Sequence, residues 1–290
     1  MILLMFSGSI VALVTPFCSG VVDLEAIKKL IEWHVESGTD GIVVCGSTGE
    51  GMLLSYDERE EIISTAVETA NKRIPIIVGC SACWTTEAVK LVTQAERLSA
   101  DGALVVAPYY VKPTQDGIVE HFRTVIESCS IPITVYNNPG RCSVNIAINT
   151  IVEIAGFGKV SLKDSDTNLT RVTELKSLAP QVSLLSGDDA TLVGYLAHGG
   201  NGCISVVANV EPTLVKQIIT AWGKGDINTV QQTNARLASL NRVLFVEANP
   251  IPVKYILSQR GLIQNELRLP LLPASTAAIK KIDNVTGVNY

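Results

Sequence analysis

Eight short β-branched runs recur along the chain: Ser9–Thr15, Gly41–Cys45, Ile74–Gly79, Gly102–Ala107, Ile131–Tyr136, Lys159–Lys163, Val182–Ser186 and Gly202–Val207. They start roughly 20 to 33 residues apart, and amphipathic stretches fill the gaps. Leu24, Ile27, Leu30, Ile31 and Val35 share one face of the first such stretch; Ile62, Ile63, Ala66, Val67 and Ala70 share one face of the next. Thr86–Leu98 and Gly117–Ser128 follow the same rule, and Ser55 to Glu58 has the spacing of a capping box. Strands separated by helices pair in parallel, because a parallel pair needs a long crossover. The runs are apolar throughout rather than alternating, as expected of strands buried on both faces. Eight such units fit a closed α/β architecture, the (β/α)8 barrel. An open doubly wound sheet would usually have fewer strands and a Gly-rich nucleotide turn after the first; here that strand ends Thr15-Pro16-Phe17.

The strand pattern stops after Ala221. Asn228–Phe245, Ile251–Gln259 and a segment near Ala274–Ile282 read as helices separated by prolines, so the expected division is a barrel over residues 1–225 and a small helical module over 226–290. Met1 to Phe17 is apolar but lacks a basic start and is interrupted by Ser7-Gly8-Ser9, which argues against a signal peptide or a spanning helix. A formal net charge of −5 without a basic block argues against nucleic acid or an anionic membrane as partner. Seven scattered cysteines read as reduced thiols of a cytoplasmic protein. Cys80 to Cys83 has CxxC spacing but no second pair for zinc, and His34, His121 and His198 lack ligand spacing, so no metal or cofactor is expected.

In such a barrel the chemistry sits at the carboxyl ends of the strands. Those ends carry Gly46-Ser47-Thr48-Gly49-Glu50, Pro108-Tyr109-Tyr110, Tyr136-Asn137-Asn138-Pro139-Gly140-Arg141, Lys163-Asp164-Ser165, Ser186-Gly187-Asp188-Asp189 and Ser205. Lys163 ends an apolar run and should face the barrel mouth. It either pairs with Asp164 or Asp188, or serves as a Schiff-base nucleophile. An ordinary lysine amine is neutral about once in 2,500 at pH 7, and burial frees such an amine to attack a carbonyl. Iminium chemistry then needs a proton shuttle, and Tyr136 on the adjacent strand end is suited to it. The Gly46–Gly49 turn offers N–H groups and hydroxyls to a small carboxylate, and Arg141 offers a fork to a second one.

Taken in order, GSTGE, PYY, YNNPGR, the strand-six lysine, LSGDD and Phe245–Lys254 (FVEANPIPVK) resemble the dihydrodipicolinate synthases of the pyruvate-dependent class I aldolases. The resemblance implies condensation of pyruvate with aspartate semialdehyde in the diaminopimelate and lysine pathway, without a cofactor. It implies that Lys163 forms the iminium and Tyr136 acts as acid and base, linked through Ser47 to Tyr110 of a neighbouring subunit. Thr48 and Ser47 would hold the pyruvate carboxylate, Arg141 that of the semialdehyde, and Gly187 and the Ile204 carbonyl would line the pocket. It further implies a homotetramer built as a dimer of dimers. The related alternative is an N-acetylneuraminate or other keto-deoxy sugar acid lyase, which shares the Gly-Ser-Thr-Gly turn but lacks the arginine. One departure stands out: Asp164-Ser165 follows the lysine where the synthases usually have Glu-Ala, which bears on substrate preference.

Overall fold

The computed structural model describes residues 5–287. Eight parallel strands close a barrel: β1 (Gly8–Ala12), β4 (Gly41–Val44), β5 (Ile76–Gly79), β6 (Gly102–Val106), β7 (Ile133–Asn137), β8 (Val160–Asp164), β9 (Ser183–Ser186) and β10 (Gly202–Ser205). They follow one another round the barrel in chain order, and β10 closes onto β1. All eight expected runs are present, each losing one to three residues where the apolar run outlasts the ladder, while β1, β7 and β8 gain one residue at the other end. A short antiparallel hairpin, β2 (Phe17–Cys18) with β3 (Val21–Val22), was not expected.

Every residue of these eight strands is buried, as strands sandwiched between barrel interior and helices require. Ile10, Ile42, Ile77, Val105, Val135, Leu162 and Leu184 are fully enclosed, each contributing on the order of 1.5–3 kcal/mol of transfer free energy. Closure at the β1–β10 seam depends on glycine: a Cβ on Gly202 would stand 2.1 Å from the Gly8 carbonyl oxygen, and φ there is +150°.

The outer layer comprises α1 (Leu24–Glu36), α2 (Tyr56–Ala70), α3 (Thr85–Arg97), α4 (Gln115–Glu127), α5 (Pro139–Cys142), α6 (Ile148–Ile154), α7 (Thr170–Leu178), α8 (Leu192–Ala197) and α9 (Pro212–Gly223). Helix α2 starts with the expected capping box: Ser55 Oγ accepts from the Glu58 N–H, and the Glu58 side chain accepts from the Ser55 N–H. Three more helices follow, α10 (Ile227–Val243), α11 (Ile251–Gln259) and α12 (Thr276–Thr286), with α10 packed on α9 and α12. Among the described residues no helix is long and apolar enough to cross a membrane.

Candidate active site

Tyr136 and Lys163 are direct register partners on β7 and β8, so their side chains leave neighbouring strand ends together. The Lys163 Nζ lies 4.3 Å from the centroid of the Tyr136 ring. Both are buried, at 4% and 7% exposure, yet both line a cavity of about 180 Å³ at the carboxyl ends of the strands. Ser47, Thr48, Asn138, Arg141, Ser165, Gly187, Asp188 and Asn249 also line it. An adjoining cavity of about 200 Å³ shares Ser47, Tyr136 and Arg141.

The ion-pair reading of Lys163 does not hold. The Asp164 carboxylate is answered instead by Arg171 Nε at 3.3 Å and Asn137 Nδ2 at 2.9 Å. Asp188 accepts from the Thr191 hydroxyl at 2.7 Å. Among the described residues Lys163 makes no ion pair. The Lys163 amine is thus enclosed beside a phenol without a counter-charge among the described residues, on the wall of the cavity.

The Tyr136 hydroxyl sits between two partners. Burial alone would raise its pKa, but the Lys163 charge, hydrogen bonds from Ser165 and Asn138, and the Arg141 charge together bring it below that of an ordinary phenol. Among the described residues no hydrogen bond joins Tyr136 to Ser47, so the expected relay through Ser47 is not formed within one chain. Tyr110 does not line the cavity: it is 91% exposed, at a positive φ of 69°. Ile204 is buried in β10, paired with Ile10, and lies outside the cavity lining. The other six nominated residues come together there.

Residues that sequence reasoning did not nominate hold the nominated ones in place. Asn249, in the loop before α11, donates through Nδ2 to the Thr48 hydroxyl at 2.9 Å, and its carbonyl accepts from Arg141 Nη2 at 3.2 Å. Glu50, which ends the Ser47–Thr48 turn at a positive φ of 52°, pairs at 2.6 Å with Lys254 of α11, and both side chains are fully buried. Burial pulls the Lys254 pKa down, against the raising effect of Glu50. Asn249 and Lys254 both fall in the Phe245–Lys254 motif, which was the one available signal. Two buried cysteines near the strand ends are poor rival nucleophiles: burial pushes Cys142 up to about 11 and Cys80 up to about 12. Among the described residues no three His, Cys, Asp or Glu side chains gather as a metal-binding group.

The profile of the dihydrodipicolinate synthetase family matches residues 5–286. The chain belongs to that family. It is 44% identical over 283 residues to the 4-hydroxy-tetrahydrodipicolinate synthase of Thermodesulfovibrio yellowstonii, covering 97% of each chain. It is 45% identical over 280 residues to that of Parvibaculum lavamentivorans, covering 96% of each. The crystal structure of dihydrodipicolinate synthase from Aquifex aeolicus superposes with a TM-score of 0.95 at 44% identity, covering 97% of each chain. The expected family and barrel are therefore both established.

Proposed function

We propose that this chain condenses pyruvate with L-aspartate 4-semialdehyde to give 4-hydroxy-tetrahydrodipicolinate and water, through a Schiff base on Lys163 and without a cofactor. The Lys163 amine attacks the pyruvate ketone, and the Tyr136 phenol gives its proton to the departing hydroxyl, releasing water. The phenolate then takes a proton from the pyruvate methyl carbon, leaving an enamine. The enamine carbon bonds to the aldehyde carbon of the semialdehyde, whose oxygen recovers a proton from the phenol. The semialdehyde's own amine finally displaces Lys163 from the iminium carbon, which closes the ring and frees the enzyme.

In this reading Ser47 and Thr48 hold the pyruvate carboxylate, Arg141 holds that of the semialdehyde, and Gly187 and Ile204 shape the wall. The exposed Tyr110 completes the proton path of a neighbouring subunit, so the working enzyme is a homotetramer, a dimer of dimers, in the cytoplasm. The helices after residue 225 form a module that braces the barrel mouth. The observation that carries the reading is the in-register Tyr136–Lys163 pair opening into a small polar cavity. The test is a condensation assay with L-aspartate 4-semialdehyde beside cleavage assays with keto-deoxy sugar acids. Turnover of the semialdehyde that is lost in Arg141→Ala supports the synthase; turnover of sugar acids alone favours the lyase.

A further inference from the structure

The Tyr136 oxygen is held by two side chains that the scheme above does not use. Asn138 Nδ2 donates to it at 2.7 Å, and Ser165 Oγ lies 3.4 Å away on the neighbouring strand end. The orientation of the Asn138 amide is not free. Asn138 is the N-cap of α5, and its Oδ1 accepts the Arg141 backbone N–H at 3.1 Å. With Oδ1 committed to a donor, the nitrogen end must face the phenol, so Asn138 always donates to the Tyr136 oxygen and never accepts from it. Ser165 can do either: it accepts from the neutral phenol and donates to the phenolate. Its place is open because residue 187 is glycine: a Cβ there would lie 2.2 Å from the Ser165 Oγ.

Resting on the assignment of Tyr136 as the acid and base, we propose that Asn138 and Ser165 are positioning residues that clamp the Tyr136 oxygen and favour its phenolate. One is a fixed donor and the other a reversible one. When the phenol protonates the departing hydroxyl, Asn138 stays in place and the Ser165 hydrogen turns toward the new anion, its oxygen drawing in from 3.4 Å, so two donors meet the charge. When the phenolate then takes the methyl proton, Ser165 turns back. The clamp is built wholly within one chain and stands whether or not a neighbouring subunit supplies Tyr110. The charged and titratable groups facing this oxygen are Lys163 on β8 and Arg141 on α5, with Asp188 across the cavity and Tyr109, Cys45 and Cys142 in the adjoining one. The Lys163 and Arg141 charges lower the phenol's pKa along with the clamp, and both remain in the Ser165 and Asn138 variants below.

The test follows exchange of the pyruvate methyl hydrogens for deuterium by NMR, with the native enzyme, no semialdehyde present and pH varied. Loss of a hydrogen bond to a charged oxygen should slow exchange roughly 10- to 100-fold at neutral pH. Raising the pH should restore the rate, because it forms phenolate without help. Ser165→Ala should show this behaviour and Ser165→Thr should recover the wild-type profile. Asn138→Asp keeps the cap acceptor while replacing the donor by an anion, and should slow exchange more than Ser165→Ala does. If Ser165→Ala and Asn138→Asp both keep the wild-type pH profile, or their losses are not relieved by raising the pH, the clamp is overturned. If the wild-type enzyme shows no exchange that Lys163→Ala abolishes, the assignment of the site itself fails, an outcome distinct from failure of the clamp.

Discussion

Replacing Lys254 by methionine strands the Glu50 carboxylate. Glu50 and Lys254 are fully buried and 2.6 Å apart, and the Lys254 ammonium also lies 4.3 Å from the centre of the Phe17 ring. Removing one member of such a pair costs roughly 3–5 kcal/mol, because the charge left behind has neither water nor a partner. Glu50 keeps one donor, the Arg268 backbone N–H at 2.9 Å, which places the expectation near the lower end, about 3 kcal/mol. For a chain of this size that corresponds to a fall in Tm of roughly 6–12 °C. The same carboxylate anchors the turn that carries Ser47 and Thr48, so the KM for pyruvate should rise with it. Burial lowers the Lys254 pKa despite its partner, a sign that holding this charge out of water is costly. Neutralising both residues, in Lys254→Met with Glu50→Gln, should therefore recover most of the lost stability. Urea denaturation of the two single variants, the double variant and the parent completes a double-mutant cycle. A Lys254→Met variant within about 0.5 kcal/mol of the parent, or a double variant no more stable than that single one, would refute the reasoning.

Gly187→Ala should depress turnover by crowding the Ser165 hydroxyl, and adding Ser165→Ala should return part of it, measured as kcat of the single and double variants. The Glu58 carboxylate is held down at about 2, chiefly by its hydrogen bonds to Arg268, with burial opposing. A depressed folded-state pKa contributes stability that is complete above about 4.5 and is lost as pH falls toward 2. Glu58→Gln should thus cost about 1–2 kcal/mol at neutral pH, discounted for its partial exposure, and only a small fraction of that near pH 2, read from urea midpoints across that range. Ser55→Ala removes the cap acceptor for the Glu58 N–H and should cost about 1 kcal/mol in the same assay at neutral pH.

The barrel was legible because strands buried on both faces write themselves as continuous apolar runs, and all eight appear. Their ends were less so: Leu13, Val14 and Cys45 are buried but lie past their strands, and apolarity reports burial rather than pairing. The β2–β3 hairpin has only two residues on each side, too few for an alternation to register. In the site, Lys163 and Tyr136 stood out because ionisable and phenolic groups rarely end apolar strands. What escaped were the supports. Asn249 and Thr48 are 201 positions apart, and Lys254 and Glu50 are 204 apart, so nothing local marks them as partners. Asn138 was hidden by its ordinary appearance as a polar residue before proline, and its amide orientation emerges only once the Arg141 N–H is placed against it. The failed Asp164 alternative is instructive too: sequence adjacency suggested a pair with Lys163, whereas neighbouring residues of a strand point to opposite faces, and Asp164 meets Arg171 outside the cavity.

Covalent capture tests the central claim most directly. The enzyme is incubated with pyruvate, reduced with borohydride, digested and mapped by mass spectrometry. A pyruvate-derived adduct on Lys163, absent without pyruvate, is the predicted result; an unmodified Lys163 peptide, or an adduct on another lysine such as the buried Lys254, would contradict the account.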